Sequence, residues 1–62
     1  MQLVEQTYYT IQDVADRLKV SYRTVFRWVH AGDLPAYKLG QEWRISEEDL
    51  KAFLEARRHE KG

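Results

Sequence analysis

Four cationic side chains in the middle of the chain have a spacing that suits anion binding. Arg23 and Arg27 are four residues apart, so on a helix they point the same way. An arginine can donate a bidentate pair of hydrogen bonds to guanine or fork onto a phosphate. Lys38 and Arg44 lie on either side of Gly40, in a segment where apolar and polar residues alternate as in a hairpin. A short helix followed by a cationic hairpin suits a nucleic acid.

The distribution of charge supports this interpretation, although the formal net charge of the chain is zero. Residues 17–44 carry six basic residues against two acidic ones, whereas the segments before and after them both have an excess of acid. A basic face on a neutral protein can bind phosphates while the acidic remainder limits indiscriminate attraction. The alternative is that these are ordinary solvated surface charges.

The composition gives little support to other chemistry. The 62 residues allow one small domain, contain no cysteine and have two histidines far apart, which predicts neither a disulfide nor a metal site. The sequence contains no glycine-rich phosphate loop, no pair of acids with a nucleophile and no metal-ligand spacing. We therefore expect no enzymatic activity, no cofactor and no small-molecule ligand. The apolar runs are short and no leader segment opens the chain, so we expect a soluble cytoplasmic protein without membrane contact.

Three helix starts are marked by a hydroxyl side chain that can accept a hydrogen bond from a free backbone N–H. These caps are Thr10, Ser21 and Ser46. An apolar residue before each cap and another four positions after it form the pattern of a hydrophobic staple, and Asp13 and Asp49 can complete capping boxes. The apolar spacing after the caps predicts helices over 11–18, 22–31 and 47–58.

The link between the first two predicted helices is very short. Only Lys19, Val20 and Ser21 lie between them, which leaves room for a tight turn between steeply crossing helices. Gly32 suits the left-handed residue that closes the second helix, and Pro35 prevents its continuation. The pattern is that of a helix-turn-helix.

The second predicted helix has an apolar stripe that we expect to face the core. This stripe consists of Tyr22, Val25, Phe26 and Val29. The residues left on or beside the open face are Arg23, Thr24, Arg27 and Trp28. The alternative for Trp28 is an ordinary aromatic packed beneath the hairpin. The first turn of this helix has free N–H groups and the positive end of the helix dipole, which favour a phosphate.

The hairpin around Gly40 can be closed in two registers. A two-residue loop puts Leu39 opposite Glu42, which mixes apolar and polar residues on one face. A three-residue loop pairs Leu39 with Trp43 instead and keeps the apolar residues together, so we expect the second register.

In the expected register Tyr37 faces Ile45, and Lys38 lies directly opposite Arg44. Two like charges in that position destabilise a hairpin by less than about 1 kcal/mol. The pair is therefore best explained if a bound anion compensates its charge. The alternative is that both side chains splay into solvent and protect a strand edge.

The ordered motifs resemble a known family. They run Thr10-Ile11-x-x-Val14-Ala15, Val20-Ser21-x-x-Thr24-Val25-x-Arg27-Trp28, Gly32-x-Leu34-Pro35-Ala36-Tyr37-Lys38-x-Gly40 and Trp43-Arg44-Ile45-x-x-x-Asp49-Leu50. Together they closely resemble the excisionase-type helix-turn-helix domain, which is related to MerR-type winged-helix domains. The resemblance implies an α+β, mainly helical fold: a three-helix winged helix-turn-helix over residues 8–58, with a two-stranded wing between helices 2 and 3. Residues 1–7 are then an N-terminal arm and residues 59–62 a polar tail.

The resemblance also implies how double-stranded DNA is bound. The second helix enters the major groove, and the wing lies against the backbone or minor groove. The implied recognition residues are Ser21, Tyr22, Arg23, Thr24 and Arg27, and the implied wing residues are Lys38, Gly40, Gln41 and Arg44. The family often has an arginine after the wing glycine, where this chain has Gln41 and Glu42. This departure suggests shallower wing insertion and weaker, more selective binding.

Two classes of function follow. The first is a DNA-binding domain, in an excisionase-like factor, a transcriptional regulator or the DNA-reading part of a larger protein. Because specific sites commonly consist of two half-sites, it would act as a homodimer, paired through the last helix, or load cooperatively on DNA. The second is a protein-interaction module that uses an aromatic surface and the amphipathic last helix. That aromatic surface comprises Tyr8, Tyr9, Trp28, Tyr37 and Trp43.

Overall fold

Three helices and three short strands make up the protein in a computed structural model that describes residues 7–58. In chain order they are β1 (Tyr8–Tyr9), α1 (Ile11–Leu18), α2 (Tyr22–Ala31), β2 (Tyr37–Leu39), β3 (Glu42–Ser46) and α3 (Glu47–Arg57). The predicted winged helix-turn-helix fold is confirmed. The expected polar tail, and all of the expected N-terminal arm except Thr7, lie outside the described residues.

Each helix begins at the hydroxyl cap that the sequence indicated. The Thr10 hydroxyl accepts from the Asp13 amide at 3.0 Å, and the Asp13 carboxylate accepts from the Thr10 amide at 3.0 Å, which completes a capping box. Ser21 and Ser46 accept in the same way from the amide three residues on, at 3.1 and 3.0 Å. These bonds satisfy amides that a helix leaves free at its first turn, so the three helix starts are fixed locally.

Both helices of the helix-turn-helix end in a left-handed residue. Gly32 has a φ of 87° and closes α2 as predicted. Lys19 closes α1 with a φ of 58°, which the sequence did not indicate because a lysine rarely takes this conformation. The amide of Val20 then donates to the Ala15 carbonyl at 3.0 Å, as in a Schellman motif. The turn between the helices is therefore short and hydrogen-bonded.

The sheet has three strands in the order β1, β3, β2, and all neighbours are antiparallel. Tyr8 pairs with Ser46 and Tyr9 pairs with Ile45. The amide of Glu47 also donates to the Thr7 carbonyl at 2.9 Å. Strand β1 was not predicted, because a two-residue strand has too little alternation to be detected. Its pairing makes β3 the central strand of the sheet.

The expected register of the hairpin is wrong. The loop contains two residues, Gly40 and Gln41, and the strand pairs are Tyr37 with Arg44, Lys38 with Trp43, and Leu39 with Glu42. Gly40 has a φ of 69° at the first loop position, where type II′ hairpin turns require glycine. The expected register assumed that Tyr37 and Leu39 are buried, but they are 47% and 52% exposed.

The hydrophobic core lies where the helices meet the central strand. Its buried residues are Ile11, Val14, Ala15, Val25, Leu34, Ile45, Leu50 and Phe53. The expected inward stripe of α2 is partly wrong, because Tyr22 and Phe26 are 49% and 36% exposed. Trp28 turns inward instead and packs on Phe53, with ring centroids 4.9 Å apart. This aromatic contact with α3 sets the rotation of α2 about its axis.

Candidate nucleic-acid interface

Two arginines lie on the outward face of α2 and form the arginine pair, Arg23 and Arg27. Both are exposed, while Val25 on the inward side is fully buried. Since they are four residues apart, they lie in one row along the helix. The ion pairs found within residues 7–58 are Arg44 with Glu42 and Arg58 with Glu55, so neither guanidinium of the arginine pair is neutralised there. Both can donate to an anion or to a base edge from outside.

A second row of side chains runs along α2 beside the arginine pair. This aromatic row consists of Tyr22, Phe26 and His30. The rings of Tyr22 and Phe26 are stacked with centroids 6.2 Å apart, and those of Phe26 and His30 are 4.2 Å apart. The His30 ring also meets the edge of Trp43 in the hairpin, at 6.0 Å. The aromatic row therefore lies on the side of α2 that neighbours the hairpin.

The predicted residues at the start of α2 have a structural role of their own. The hydroxyl oxygens of Ser21 and Thr24 are 3.0 Å apart, and Ser21 also accepts from the Thr24 amide. Ser21 is exposed and Thr24 is half-buried. These contacts hold the first turn of α2 in place, and they leave the Ser21 side of the turn open to solvent.

The predicted wing cations lie on opposite faces of the hairpin. Lys38 places its ammonium nitrogen 5.0 Å from the centre of the Trp43 ring, on the face that also contacts His30. Arg44 is paired with Tyr37 on the other face and forms an ion pair with Glu42. The two-residue loop places the two cations on opposite faces, because Lys38 then pairs with Trp43 instead of Arg44 and neighbouring residues on a strand point to opposite faces. Lys38 thus shares the side of α2, and Arg44 does not.

The tip of the wing faces the first turn of α2 across a shallow cleft. Residues on its walls include Gln12 of α1, Tyr22 of α2, and Gln41 and Trp43 of the hairpin. Gly40 and Gln41 are both exposed at the tip. Apart from Gly40 and its two chain neighbours, no heavy atom of the described residues lies within 4 Å of the place where a side chain on Gly40 would begin. The cleft brings the predicted recognition end and the predicted wing tip onto one concave surface.

Sequence reasoning missed the contribution of Phe26 and His30 to this surface. Tyr22, Phe26 and His30 recur at intervals of four, which is the spacing of a single row on a helix. The spacing is visible in the sequence, but the hydrophobicity of Tyr22 and Phe26 predicts that both belong to the core. Burial of Trp28 rotates that row outward.

Within residues 7–58, no group of three or more histidine, cysteine or acidic side chains is arranged to hold a metal ion. In the same part of the chain, no helix has the length and apolar character that crossing a membrane requires.

A capped helix-turn-helix followed by a hairpin that lies beside its second helix defines the class of winged helix-turn-helix domains. The family described as Helix-turn-helix domain matches residues 8–58 of this chain. The chain therefore belongs to this family, and the resemblance to excisionase-type domains that its motifs indicated is confirmed at the level of the domain.

Curated relatives share the domain within longer chains. YvgK of Bacillus subtilis is 49% identical over 49 residues, which cover 79% of this chain and 16% of YvgK. A Mycobacterium tuberculosis protein named "Putative DNA-binding protein Rv0500A" is 39% identical over 46 residues, covering 74% of this chain and 59% of that protein. Rv2310 from the same species is 43% identical over 49 residues, which cover 79% of this chain and 43% of Rv2310. This chain thus spans less than two thirds of each relative. No solved structure gives a significant match.

Proposed function

We propose that this chain binds double-stranded DNA sequence-specifically, with α2 in the major groove and the hairpin of β2 and β3 against the backbone or minor groove. The observation that carries the proposal is the arginine pair, which is exposed, makes no ion pair within residues 7–58 and lies on a helix fixed by caps at both ends. Membership of the helix-turn-helix family supports it. The relative that is named as a putative DNA-binding protein supports it as well.

In this proposal the arginine pair reads base edges, since arginine can donate two hydrogen bonds to the O6 and N7 acceptors of guanine. Ser21, Tyr22 and Thr24 at the start of α2 approach a phosphate, which the helix dipole favours. These contacts fix the register of the helix on the duplex, and the arginines supply the sequence preference.

The wing supplies contacts to the backbone. Lys38 is exposed on the side of α2 and is the main cation that the wing offers there. Gly40 lets the tip come close to a strand because it has no side chain, and Gln41 beside it adds no negative charge. Arg44 reaches a phosphate from the other face of the wing, where Glu42 offsets its charge. We therefore expect a shallow wing contact.

The biological role is that of an excisionase-like factor, a transcriptional regulator or the DNA-reading domain of a larger protein. The third role is favoured by the relatives, of which this chain spans between 16% and 59%. A single module covers limited groove surface, so the proposal includes either a homodimer or cooperative loading on DNA.

The test is an NMR titration of the isotopically labelled chain with a generic duplex, first at low salt and then at physiological salt. We expect salt-sensitive shifts confined to residues 21–28 and 38–44, because those residues include the arginine pair and the wing. Shifts that are absent even at low salt would contradict DNA binding, since non-specific electrostatic binding is strongest there.

A second candidate function is docking of another protein on the outer face of the sheet. Tyr8 and Tyr37 are 41% and 47% exposed on this face, with ring centroids 6.3 Å apart, and Leu39 is exposed beside them. Exposed apolar clusters of this kind mark interaction surfaces. This candidate is favoured if the DNA titration gives no shifts and if Tyr37→Ala abolishes binding to a partner protein while leaving the fold intact.

A further inference from the structure

Phe26 is an apolar side chain that the fold leaves at the proposed DNA-facing surface. It is 36% exposed although it lies in the middle of α2, and its neighbour Tyr22 in the aromatic row is 49% exposed. An isolated exposed apolar residue needs no explanation, but a contiguous row does when it lies beside two arginines that make no ion pair among residues 7–58. The row lies where bases would pass if α2 occupies the major groove.

The Phe26 ring is held in position from both sides. Tyr22 stacks on it with an angle of 18° between the ring planes, and His30 packs on it at 4.2 Å. His30 in turn contacts Trp43 of the hairpin at 6.0 Å. A ring fixed by neighbours before binding loses little conformational entropy when it meets a ligand. The surface is therefore preorganised for contact with an apolar group.

DNA offers one such group in the major groove. Thymine is the base that carries a methyl group there, whereas guanine offers two acceptors that suit arginine. The aromatic row and the arginine pair are adjacent rows on one helix, so that they would meet neighbouring bases of the duplex. The chemistry of the two rows thus matches a site in which thymine and guanine are close together.

We propose that Phe26 is a specificity-determining residue that reads the methyl group of thymine, with Tyr22 widening the apolar contact. The target then contains one or two thymines next to the guanines that the arginine pair reads. This inference rests on the proposed function, and it adds the class of base that the aromatic row recognises.

The experiment uses a duplex selected from a random pool by the wild-type chain. Each thymine is replaced in turn by deoxyuridine, which removes only the methyl group, and Kd is measured by fluorescence anisotropy at one fixed salt concentration. We expect one or two positions at which uracil weakens wild-type binding by about four-fold, the factor that corresponds to one buried methyl group.

Two variants separate the contact from general effects. Phe26→Ala should bind thymine and uracil duplexes with equal affinity, because the apolar partner of the methyl group is gone. Tyr37→Ala is the matched control, since it also removes an exposed aromatic ring but on the outer face of the sheet, and it should keep the wild-type difference. If Phe26→Ala does not fold, the wild-type complex is used instead, with nuclear Overhauser contacts expected between the Phe26 ring and a thymine methyl group.

The outcomes distinguish this inference from the function on which it rests. Sequence-selective binding with no difference between thymine and uracil at any position overturns the role of Phe26 and leaves DNA binding in place. A difference that persists in folded Phe26→Ala, or the absence of the Overhauser contact, also overturns it. Failure to select any duplex overturns the proposed function and this inference together.

Discussion

Single residues within α2 and at the end of α1 determine what the helix-turn-helix presents. Arg27 is exposed and belongs to the arginine pair, whereas its neighbour Trp28 is half-buried against Phe53. The alternation of outward and inward residues along one helix is what leaves cations free for a partner. It also means that a substitution at an outward position can change binding without changing the fold.

Arg27→Ala should alter the sequence preference of the chain. The arginine can donate two hydrogen bonds to guanine, so its removal is expected to cost about 1–3 kcal/mol at the preferred base and to relax selectivity there. The measurement is a comparison of Kd for the selected duplex and for single-base variants of it. Arg58→Ala removes the same charge at the end of α3 and should leave the preference unchanged. Equal selectivity in Arg27→Ala and the wild-type chain would remove Arg27 from the proposed interface.

Lys19→Gly should stabilise the fold, because Lys19 has a φ of 58° in a region that costs a side-chain-bearing residue about 1–2 kcal/mol. After the greater entropy of glycine in the unfolded chain is subtracted, we expect a gain of about 0.5–1 kcal/mol in the free energy of unfolding, measured in urea. Lys51→Gly is the control, since this exposed lysine lies within α3 and its replacement should cost about 1 kcal/mol. If Lys19→Gly and Lys51→Gly lowered the free energy of unfolding by the same amount, the backbone at Lys19 would not be strained.

At the scale of elements, the hairpin differs most from what its sequence suggests. The helices could be predicted because caps and apolar spacing are local signals, and Thr10, Ser21 and Ser46 carry them unambiguously. The hairpin register depends on which residues of β2 face the core, and the exposure of Tyr37 and Leu39 shows that apolar character alone does not reveal this. The rotation of α2 likewise depends on the contact between Trp28 and Phe53, which are 25 residues apart in sequence.

Only part of the candidate site could be predicted from sequence, because the rest depends on contacts between residues that are distant in the chain. The spacing of Arg23 and Arg27 identified the outward row of α2, since helical periodicity is independent of tertiary contacts. The placement of Lys38 and Arg44 on one face was an inference from the register and failed with it. Phe26 was missed because hydrophobicity alone cannot distinguish a core residue from an exposed contact residue.

The wing as an element should bind the backbone through Lys38. Lys38→Ala is expected to weaken binding to all duplexes alike and to reduce the slope of log K against log salt by about one unit, because one phosphate contact is lost. Binding is measured at several salt concentrations. Lys51→Ala, which removes an exposed lysine from α3, should keep the wild-type slope. A change in sequence preference in Lys38→Ala would instead indicate a base contact.

The charge of the wing tip should also limit binding. Glu42 forms an ion pair with Arg44, so Glu42→Gln removes a negative charge and releases a cation toward phosphates. We expect tighter binding at low salt and a salt slope steeper by up to about one unit. Glu55→Gln breaks the comparable ion pair with Arg58, which measures 3.0 Å at the C-terminal end of α3, and should have no effect on DNA binding. Unchanged affinity in Glu42→Gln would mean that Arg44 stays away from the duplex.

For the whole molecule, stability rests on a core of few residues. Leu34 lies between α2 and the hairpin and is fully buried. Leu34→Ala should reduce the free energy of unfolding by about 2–5 kcal/mol, a large share of what so small a domain possesses. The same change at Leu39, which is 52% exposed, should be nearly neutral. Urea denaturation of both variants followed by circular dichroism tests this, and similar losses would place Leu39 in the core as well.

Ser46 connects the wing to the rest of the molecule without a linker. It is the last residue of β3 and also the cap of α3, it is buried, and the next amide donates to the carbonyl of Thr7. Strand β3 of the wing therefore continues directly into α3, with no flexible residues between them. A tilt of the wing on a duplex must either turn α3 with it or break the cap, so that mechanical strain from one end of the domain is transmitted to the other.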